Sequence, residues 1–433
     1  MIPDTTASPS REGPQPRPIR PLVDFLQAES AGAVLLAVAA VTALIWANSP
    51  WSNSYEHLWN TELGIRLGSE DLTLSLRGWI NDGLMAIFFL VVGLEIKREL
   101  VEGELANPRR AALPALAALG GMAVPALIYV LATAGTPAIS GWGIPMATDI
   151  ALALGVLGAL GSRVPSAVKI FLLALAIVDD IGAIIVIALF YSDKLDPTYL
   201  GIAALMIGAV ILLRYRGITA VAPYVLCGLA LWFALHEGGV HSTIAGIAMG
   251  LLAPTKPHLT HDMIDSAELA NIDSAEKARE TVFLARQSVS EVEWLEHKLH
   301  PWSSFVIVPV FALANAGVQL SSTELSAAFK SRVALGVGAG LLLGKPLGIL
   351  LFTWVGCRLK LVELSPSMGF KHVAAAGTLG GIGFTVSLFV TSLAFEDADY
   401  VNPARIAILL ASLIAGAIGA LAFLSLPAPD GEE

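Results

Sequence analysis

Long apolar runs recur along the chain, and they limit what it can fold into more than any other feature. Each is close to the ~20 residues that an α-helix, rising about 1.5 Å per residue, needs to cross roughly 30 Å of hydrocarbon. The composition agrees, because 55% of the 433 residues are hydrophobic and 14% are charged, against about 25% charged in an ordinary soluble domain. The sequence therefore predicts an all-α membrane protein that crosses the bilayer many times.

Apolar windows between charged or proline-containing breaks predict about twelve spans. Their expected first residues are Glu29, Leu76, Ala112, Ala138, Ser166, Thr198, Ala220, Val240, Pro301, Val333, Val373 and Val401. An even number places both termini on one side of the membrane. Lys and Arg are concentrated in the loops on that side, so the positive-inside rule predicts that both termini are cytoplasmic.

The ends of the chain are polar and are expected outside the hydrocarbon. Residues 1–25 are predicted as a cytosolic tail, since no apolar run of a cleaved signal peptide follows the first Met. Residues 26–424 are the predicted transmembrane domain, and 425–433 a second cytosolic tail. The net charge of −10 argues against a nucleic-acid partner, so the bilayer is the expected macromolecular environment.

Two internal segments are also predicted to lie outside the hydrocarbon. Residues 51–77 include a stretch that alternates apolar and polar side chains, which predicts a small external β-hairpin. Residues 256–298 are polar and acidic and are predicted as a cytosolic linker with some helix. Cys227 and Cys357 are far apart without metal-ligand spacing, so we expect reduced thiols and no cofactor.

Ionisable side chains inside spans are costly and need a partner, a water path or a function. Asp179 and Asp180 lie near the middle of the fifth span. Adjacent helical residues point about 100° apart, so one carboxylate can face an ion cavity while the other contacts a structural partner. The alternative is one satisfied buried acid beside a bystander. Lys345, in the tenth span, is expected to pair with one of these acids, unless it reaches a membrane surface.

Two predicted spans contain helix breakers. Pro145 and Thr148 precede Asp149 in the fourth span, and the eleventh contains a group of small residues: Gly377, Thr378, Gly380, Gly381, Gly383 and Thr385. Interrupted helices are tolerated at membrane depth where they line a cavity or face protein. Interruptions in two halves of a chain, here about 112–191 and 333–424, suggest inverted repeats around a binding site. The alternatives are helix capping by Asp149 and close packing by the glycines.

Charged side chains also gather at the predicted inner ends of two spans. Glu95 and Arg98 close the second span, and Glu296, His297 and His300 precede the ninth. Histidine titrates near neutrality, so this group could sense cytosolic pH. Anchoring at the membrane interface is the alternative.

The chain resembles the NhaA family of bacterial sodium/proton antiporters over most of its length. The similarity is carried by ordered blocks: NDGLMAIFFLVVGLEIKREL, ATDIALALGVLGALGSRVP, KIFLLALAIVDDIGAIIVIALFYS, LEHKLHPW, PVFALANAGV, GKPLGI and GGIGFT. The resemblance implies a multi-pass protein of the bacterial inner membrane, with inverted repeats and two broken, crossing helices. It also implies a homodimer formed through the external hairpin.

The matching motifs imply roles for individual residues. Asp179 and Asp180 would form the pair that binds the transported Na⁺, with Asp180 as the better candidate for the cation. Thr148 and Asp149 would lie at the helix crossing, and Lys345 would compensate charge there or pair with Asp179. The implied pH-response group is Glu95, Arg98, Glu296, His297 and His300. Asp82 matches a family acid for which no step is assigned.

The predicted function is secondary active exchange of Na⁺ or Li⁺ for H⁺, electrogenic and activated at alkaline cytosolic pH. Hard cations favour carboxylate, carbonyl and water oxygens, so a cation and a proton can compete for one carboxylate. A cation channel and a non-transporting membrane sensor are the alternatives, although no repeated pore loop is present. An enzyme is not expected, since P-loop, HExxH and nucleophile motifs are missing.

Overall fold

The computed structural model describes five parts of the chain: residues 20–67, 70–192, 195–218, 220–255 and 289–427. Within them the protein is predominantly helical. The predictions for most of the N-terminal tail, for residues 256–288 of the linker and for 428–433 lie outside the described residues.

The helices follow one another with short connections. They are α1 (Arg20–Ala47), α2 (Ser52–Trp59), α3 (Leu76–Val101), α4 (Pro108–Thr133), α5 (Ile150–Leu160), α6 (Ser166–Phe190), α7 (Pro197–Tyr215), α8 (Val221–Glu237), α9 (Ile244–Leu252), α10 (Glu291–Trp302), α11 (Val308–Asn315), α12 (Ser322–Lys330), α13 (Arg332–Arg358), α14 (Phe370–Gly380), α15 (Phe384–Ala394) and α16 (Ala398–Ser425). A 3₁₀ segment, Pro137–Met146, leads towards α5. Wider π-helical turns occur at Trp79–Leu84 in α3, at Ser303–Ile307 between α10 and α11, and at Gly340–Gly344 in α13.

In the described part of the chain, eight helical stretches are long and apolar enough to cross a membrane. A ninth candidate is the pair α14 and α15, which is bent by 48° at a short break. These nine coincide with the first six and the last three predicted spans. Helix α8 is apolar but has 17 residues, and α9 has nine. The prediction of a helical protein with many membrane spans is confirmed.

Two strands lie between α2 and α3. β1 (Glu62–Leu67) and β2 (Glu70–Ser75) pair antiparallel, and the Trp79 indole N–H at the start of α3 donates to the carbonyl of Leu63 at 2.8 Å. The segment 51–77 differs from a simple hairpin because it also contains α2. That helix forms because Tyr55 and Trp59 are buried on its inner side.

Helices α4 and α13 pack closely because glycines face each other between them. A Cβ atom on Gly348 would lie 2.1 Å from the carbonyl oxygen of Gly120, and one on Gly120 would lie 2.2 Å from that of Gly348. Small residues allow such backbone contact between membrane helices. The contact brings Lys345, one turn before Gly348, into the interior of the protein, where its side chain is 0% exposed.

Most buried side chains belong to one large apolar cluster that reaches from α1 to α16. Six charged side chains are buried among the described residues, and Glu296 and Arg405 lie in α10 and near the start of α16. The other four are Asp149, immediately before α5, Asp179 and Asp180 in the middle of α6, and Lys345 in the middle of α13. Buried charges need partners or access to water, so their contacts define the candidate site.

Candidate functional site

The two helix breaks meet inside the protein. The amide of Asp149 donates to the carbonyl of Ile382 at 2.6 Å, and the Thr148 hydroxyl lies 3.0 Å from the carbonyl of Gly380. These contacts pair backbone groups that the breaks release from the helices, as membrane depth requires. The sequence placed breaks in the fourth and eleventh spans, and the structure brings the two breaks into direct contact.

Asp149 joins the helices that start at these breaks. Its Oδ1 accepts a hydrogen bond from the amide of Leu152 at 3.0 Å, which caps α5. Its Oδ2 accepts from the amide of Thr385 at 3.0 Å and from the Thr385 hydroxyl at 2.6 Å, at the start of α15. A carboxylate is favoured at a helix N-terminus by the helix dipole. The capping alternative therefore holds for Asp149, and the same side chain also lines the cavity described below.

Lys345 and Asp179 form a buried ion pair. The Lys345 ammonium contacts Asp179 Oδ2 directly and donates to the Thr148 hydroxyl at 2.8 Å. That hydroxyl also lies 2.8 Å from Asp179 Oδ2. Both charged side chains are 0% exposed, so Lys345 does not reach a membrane surface. The π-helical turn Gly340–Gly344 ends immediately before Lys345, and such turns often occur at functional sites.

Asp180 points to a different place from Asp179. It lines a cavity of about 60 Å³, and its carboxylate accepts no hydrogen bond from the described residues. A water-sized probe needs about 10–15 Å³, so the cavity has room for a small cation or a few water molecules. The 100° divergence of adjacent helical side chains thus separates one acid that is paired from one acid that is available to a ligand.

The cavity connects the helix crossing with the ends of α3 and α10. Polar side chains line it at both ends: Thr148, Asp149, Asp180 and Thr385 near the crossing, and Glu95, Arg98, His300, Ser303 and Ser304 towards the helix ends. Hard cations favour oxygen ligands such as carboxylates. The arrangement offers such oxygens near the crossing and half-buried charged groups at the helix ends.

The predicted pH-response group is only partly at the cavity. Arg98 lines it and pairs with Glu296 at 2.5 Å, whereas Glu296 lies behind that arginine and His297 is exposed. Helix α10, which carries Glu296, is not among the apolar spans. Burial raises the pKa of Glu296, and the charges of Arg98 and His300 act against this shift. The pair therefore links α3 and α10 through a titratable contact beside the cavity.

Sequence reasoning missed part of the cavity wall. Thr385 was recognised only as one of the small residues of the eleventh span, and Ser303 and Ser304 were not considered. Both serines lie in the π-helical turn Ser303–Ile307, which turns them towards the cavity. Adjacent hydroxyl residues at the start of an apolar span were the available signal, but serine in membrane helices is often a packing residue.

A protein with many spans and a carboxylate cavity at two crossed helix breaks has the features of a secondary transporter. Its family follows from sequence comparison: the chain belongs to the Na⁺/H⁺ antiporter 1 family, whose profile matches residues 23–423. This confirms the resemblance found in the sequence motifs.

Individual relatives match over nearly the full length. The Na(+)/H(+) antiporter NhaA of Shewanella sp. (strain ANA-3) is 47% identical over 399 residues, which cover 92% of this chain and 95% of the relative. The Na(+)/H(+) antiporter NhaA 3 of Frankia alni is 45% identical over 425 residues, or 96% of this chain and 92% of the relative. The solved structure of the sodium proton antiporter MjNhaP1 from Methanocaldococcus jannaschii covers 94% of this chain and 99% of its own, with 15% identity and a TM-score of 0.48.

Proposed function

We propose that this chain exchanges cytosolic Na⁺ or Li⁺ for external H⁺ by alternating access around Asp180. The observation that carries the proposal is the cavity, which joins the unpaired Asp180 carboxylate to half-buried polar groups at the helix ends. Membership of the Na⁺/H⁺ antiporter 1 family supports the same conclusion, as do relatives that are named Na⁺/H⁺ antiporters.

In the proposed cycle a cation and a proton compete for the Asp180 carboxylate. Burial favours the neutral form of a carboxyl group, so the site holds a proton unless a cation replaces it. Asp149, Thr148 and Thr385 line the same cavity and supply further oxygens. A second proton, from Asp179 or from its partner Lys345, would make each cycle move net charge. The membrane potential then drives sodium export, at about 2.3 kcal/mol per charge per 100 mV.

We assign this arrangement to an inward-facing state. The cavity extends to Arg98 and His300, which the positive-inside rule places at the cytosol, with both termini on the same side. On the other side of the crossing, Phe389 of α15 contacts Phe89 at 5.3 Å and Phe311 at 6.3 Å between ring centroids. In the outward-facing state these rings would separate and the contact of Arg98 with Glu296 would change. We assign the response to cytosolic pH to this contact, because burial raises the pKa of Glu296 and the charge of Arg98 opposes that shift.

The number of spans, the inverted repeats and the dimer contact are also part of the proposal. We assign twelve spans, with α8, α9 and the stretch from Pro301 to the end of α11 as the seventh, eighth and ninth, and inverted repeats at about 112–191 and 333–424. Each repeat then contains one broken span, and the breaks contact each other. We assign the segment 51–77 to the outer face of the inner membrane and to a homodimer contact, since Trp51 and Leu63 are 74% and 51% exposed.

Purified protein in proteoliposomes tests the exchange reaction. An imposed pH gradient should drive uptake of Na⁺ and Li⁺, and the reversal potential of the flux should report how many protons exchange for each cation. Cation conductance without a fixed coupling to protons would indicate a channel. No flux of either ion in protein that is folded would indicate a sensor.

Replacing Thr385 by Val should weaken cation binding while retaining the shape of the side chain. The change removes the 2.6 Å hydrogen bond that orients Asp149, and a hydrogen bond to a charged group contributes about 1.5–3 kcal/mol. We expect the KM for Na⁺ to rise about tenfold or more, as measured from the Na⁺ dependence of exchange. Thr385→Ser keeps the hydroxyl and should remain within about twofold of the wild type. Equal KM values for the Val and Ser variants would contradict this role.

A further inference from the structure

Arg405 is a buried charge that has no part in the cavity. It lies near the start of α16, and 8% of it is exposed to solvent. Its Nε atom is enclosed without a hydrogen-bond partner in the part of the chain that the structure describes. Among the same residues, its guanidinium is in ion-pair contact with no acid. A buried charge without a partner is far less stable than a paired one, so this arginine requires an anion.

The surroundings of Arg405 carry more positive than negative charge. The ionisable groups that act on it electrostatically are Arg77, Tyr55 and Glu56. Arg77 is a second enclosed guanidinium, with 19% of its side chain exposed, and it lies 3.5 Å from Glu56, whose side chain is 49% exposed. Tyr55 is neutral below about pH 10. Two enclosed guanidiniums therefore share one half-exposed carboxylate.

The carbonyl end of α11 offsets part of this charge. The Tyr55 hydroxyl lies 2.9 Å from the carbonyl of Leu313 and 3.1 Å from that of Ala314. Arg77 Nε donates to the Ala314 carbonyl at 3.1 Å. The C-terminus of a helix is equivalent to about half a negative elementary charge. Two positive charges thus face one carboxylate and a fraction of a charge, and the balance remains positive.

The chemistry of this cluster selects an anion and not water alone. Water can accept hydrogen bonds from a guanidinium, but it brings no compensating charge. Guanidinium N–H groups form their strongest hydrogen bonds with anions. Arg405 and Arg77 are both enclosed, so a small ion has better access to them than the phosphate group of a lipid. On the orientation proposed above, the cluster lies near the outer surface, in reach of anions of the external medium.

We propose that Arg405 and Arg77 bind a small monovalent anion of the chloride type at the junction of α2, α11 and α16. Such an anion supplies the negative charge that the described side chains lack. It would also join the external segment 51–77 to the last span, because Arg77 belongs to the end of that segment and Arg405 to α16. The site is separate from the cation cavity and adds an anion to the ligands of the protein.

Chloride should stabilise the full-length protein in a saturable manner. Purified protein in detergent is transferred to sodium gluconate, which is then replaced by chloride at constant Na⁺ concentration and ionic strength. Constant Na⁺ keeps the occupancy of the cation site unchanged. A ligand that binds the folded state raises the thermal unfolding midpoint as its concentration increases. We expect half of the effect at a chloride concentration on the order of 1 mM, which corresponds to a weak single site.

Replacing Arg405 by Met should remove the chloride response. Met is long and apolar enough for a buried position, and loss of an unpaired buried charge is often neutral or stabilising. We expect Arg405→Met to unfold at or above the wild-type midpoint in gluconate. Its half-maximal chloride concentration should be at least about tenfold higher, because a hydrogen-bonded ion pair is lost. Arg332→Gln is the matched control, since Arg332 is an exposed arginine at the start of α13, and it should keep the full response.

Two results of this titration would overturn the proposal. The first is a wild-type midpoint that does not depend on chloride. The second is an equal response in the wild type and in Arg405→Met, which would indicate a general salt effect or an anion bound elsewhere.

Anomalous diffraction from crystals of the full-length protein in bromide locates the anion directly. A bromide peak is expected between the guanidiniums of Arg405 and Arg77, and it should be missing in Arg405→Met. Bromide that is found only at exposed surfaces would contradict the site. Neither experiment requires transport. Absence of exchange in proteoliposomes would therefore contradict the proposed function, and the chloride and bromide results would still decide whether the anion site exists.

Discussion

Replacing Asp180 by Asn is expected to reduce exchange driven by a pH gradient to about 1% of the wild-type rate or less, equivalent to about 2.7 kcal/mol or more. Asp180 is the buried acid that faces the cavity without a hydrogen bond from the described residues. Asn has nearly the same shape, but it carries no negative charge for a cation and no proton that it can release. Uptake of radioactive sodium into proteoliposomes measures the loss.

One further variant and one stability measurement show whether the loss of exchange is chemical. Asp180→Glu keeps the carboxyl group and should recover measurable exchange, although its longer side chain fits the cavity less well. The thermal unfolding midpoint of Asp180→Asn should be equal to or above that of the wild type, because Asn is neutral at every pH and cannot leave an uncompensated charge in the interior. Exchange near the wild-type rate in Asp180→Asn would exclude Asp180 as the shared site for cation and proton.

Replacing Lys345 by Met should destabilise the protein by about 3–5 kcal/mol, because Asp179 would remain as a buried charge without its cation. Met is close to Lys in length, so the loss of charge dominates over the loss of packing. The ion pair and both side chains are inaccessible to solvent, and water cannot replace the ammonium without rearrangement of the helices. The measurement is the thermal unfolding midpoint in detergent or nanodiscs.

The matched control is the double variant Lys345→Met with Asp179→Asn. It removes both charges, so we expect most of the lost stability to return and the two changes to be strongly non-additive. A double variant that is as unstable as Lys345→Met alone would mean that packing of the lysine stem, and not charge compensation, is what stabilises this region. The Thr148 hydroxyl is within reach of both side chains, and it can still bond to the Asn amide.

The depth of the ionisable residues could be predicted from the sequence because the bilayer imposes a simple rule. A helix needs about 20 apolar residues to cross, so a charge in the middle of such a run is buried wherever the helix packs. The positions of Asp179, Asp180 and Lys345 follow from this rule. The breaks near Thr148 and Gly381 were predictable for a related reason, since proline and glycine weaken a helix by known amounts.

The assignment of partners could not be predicted in the same way. Helix periodicity states that Asp179 and Asp180 diverge by about 100°, but not which of them faces Lys345. That choice depends on the rotation of α6 about its axis. The rotation is set by packing against α4 and α14. Gly120 of α4 in turn contacts Gly348 of α13, which brings Lys345 close to α6. The hydrogen bonds of Thr385 to Asp149 likewise join residues 236 positions apart, which no local pattern could reveal.

The sequence by itself determined that this chain is a many-spanning helical membrane protein with a charged interior, and its motifs placed it in its family. Hydrophobic length and the cost of a buried charge are properties of short segments, so they can be read locally. Only the tertiary structure decided that Asp179 is paired and Asp180 is available, that the two breaks touch, and that Arg405 is buried near Arg77. These features depend on the rotation and contact of helices distant in the chain, which packing of the whole protein determines.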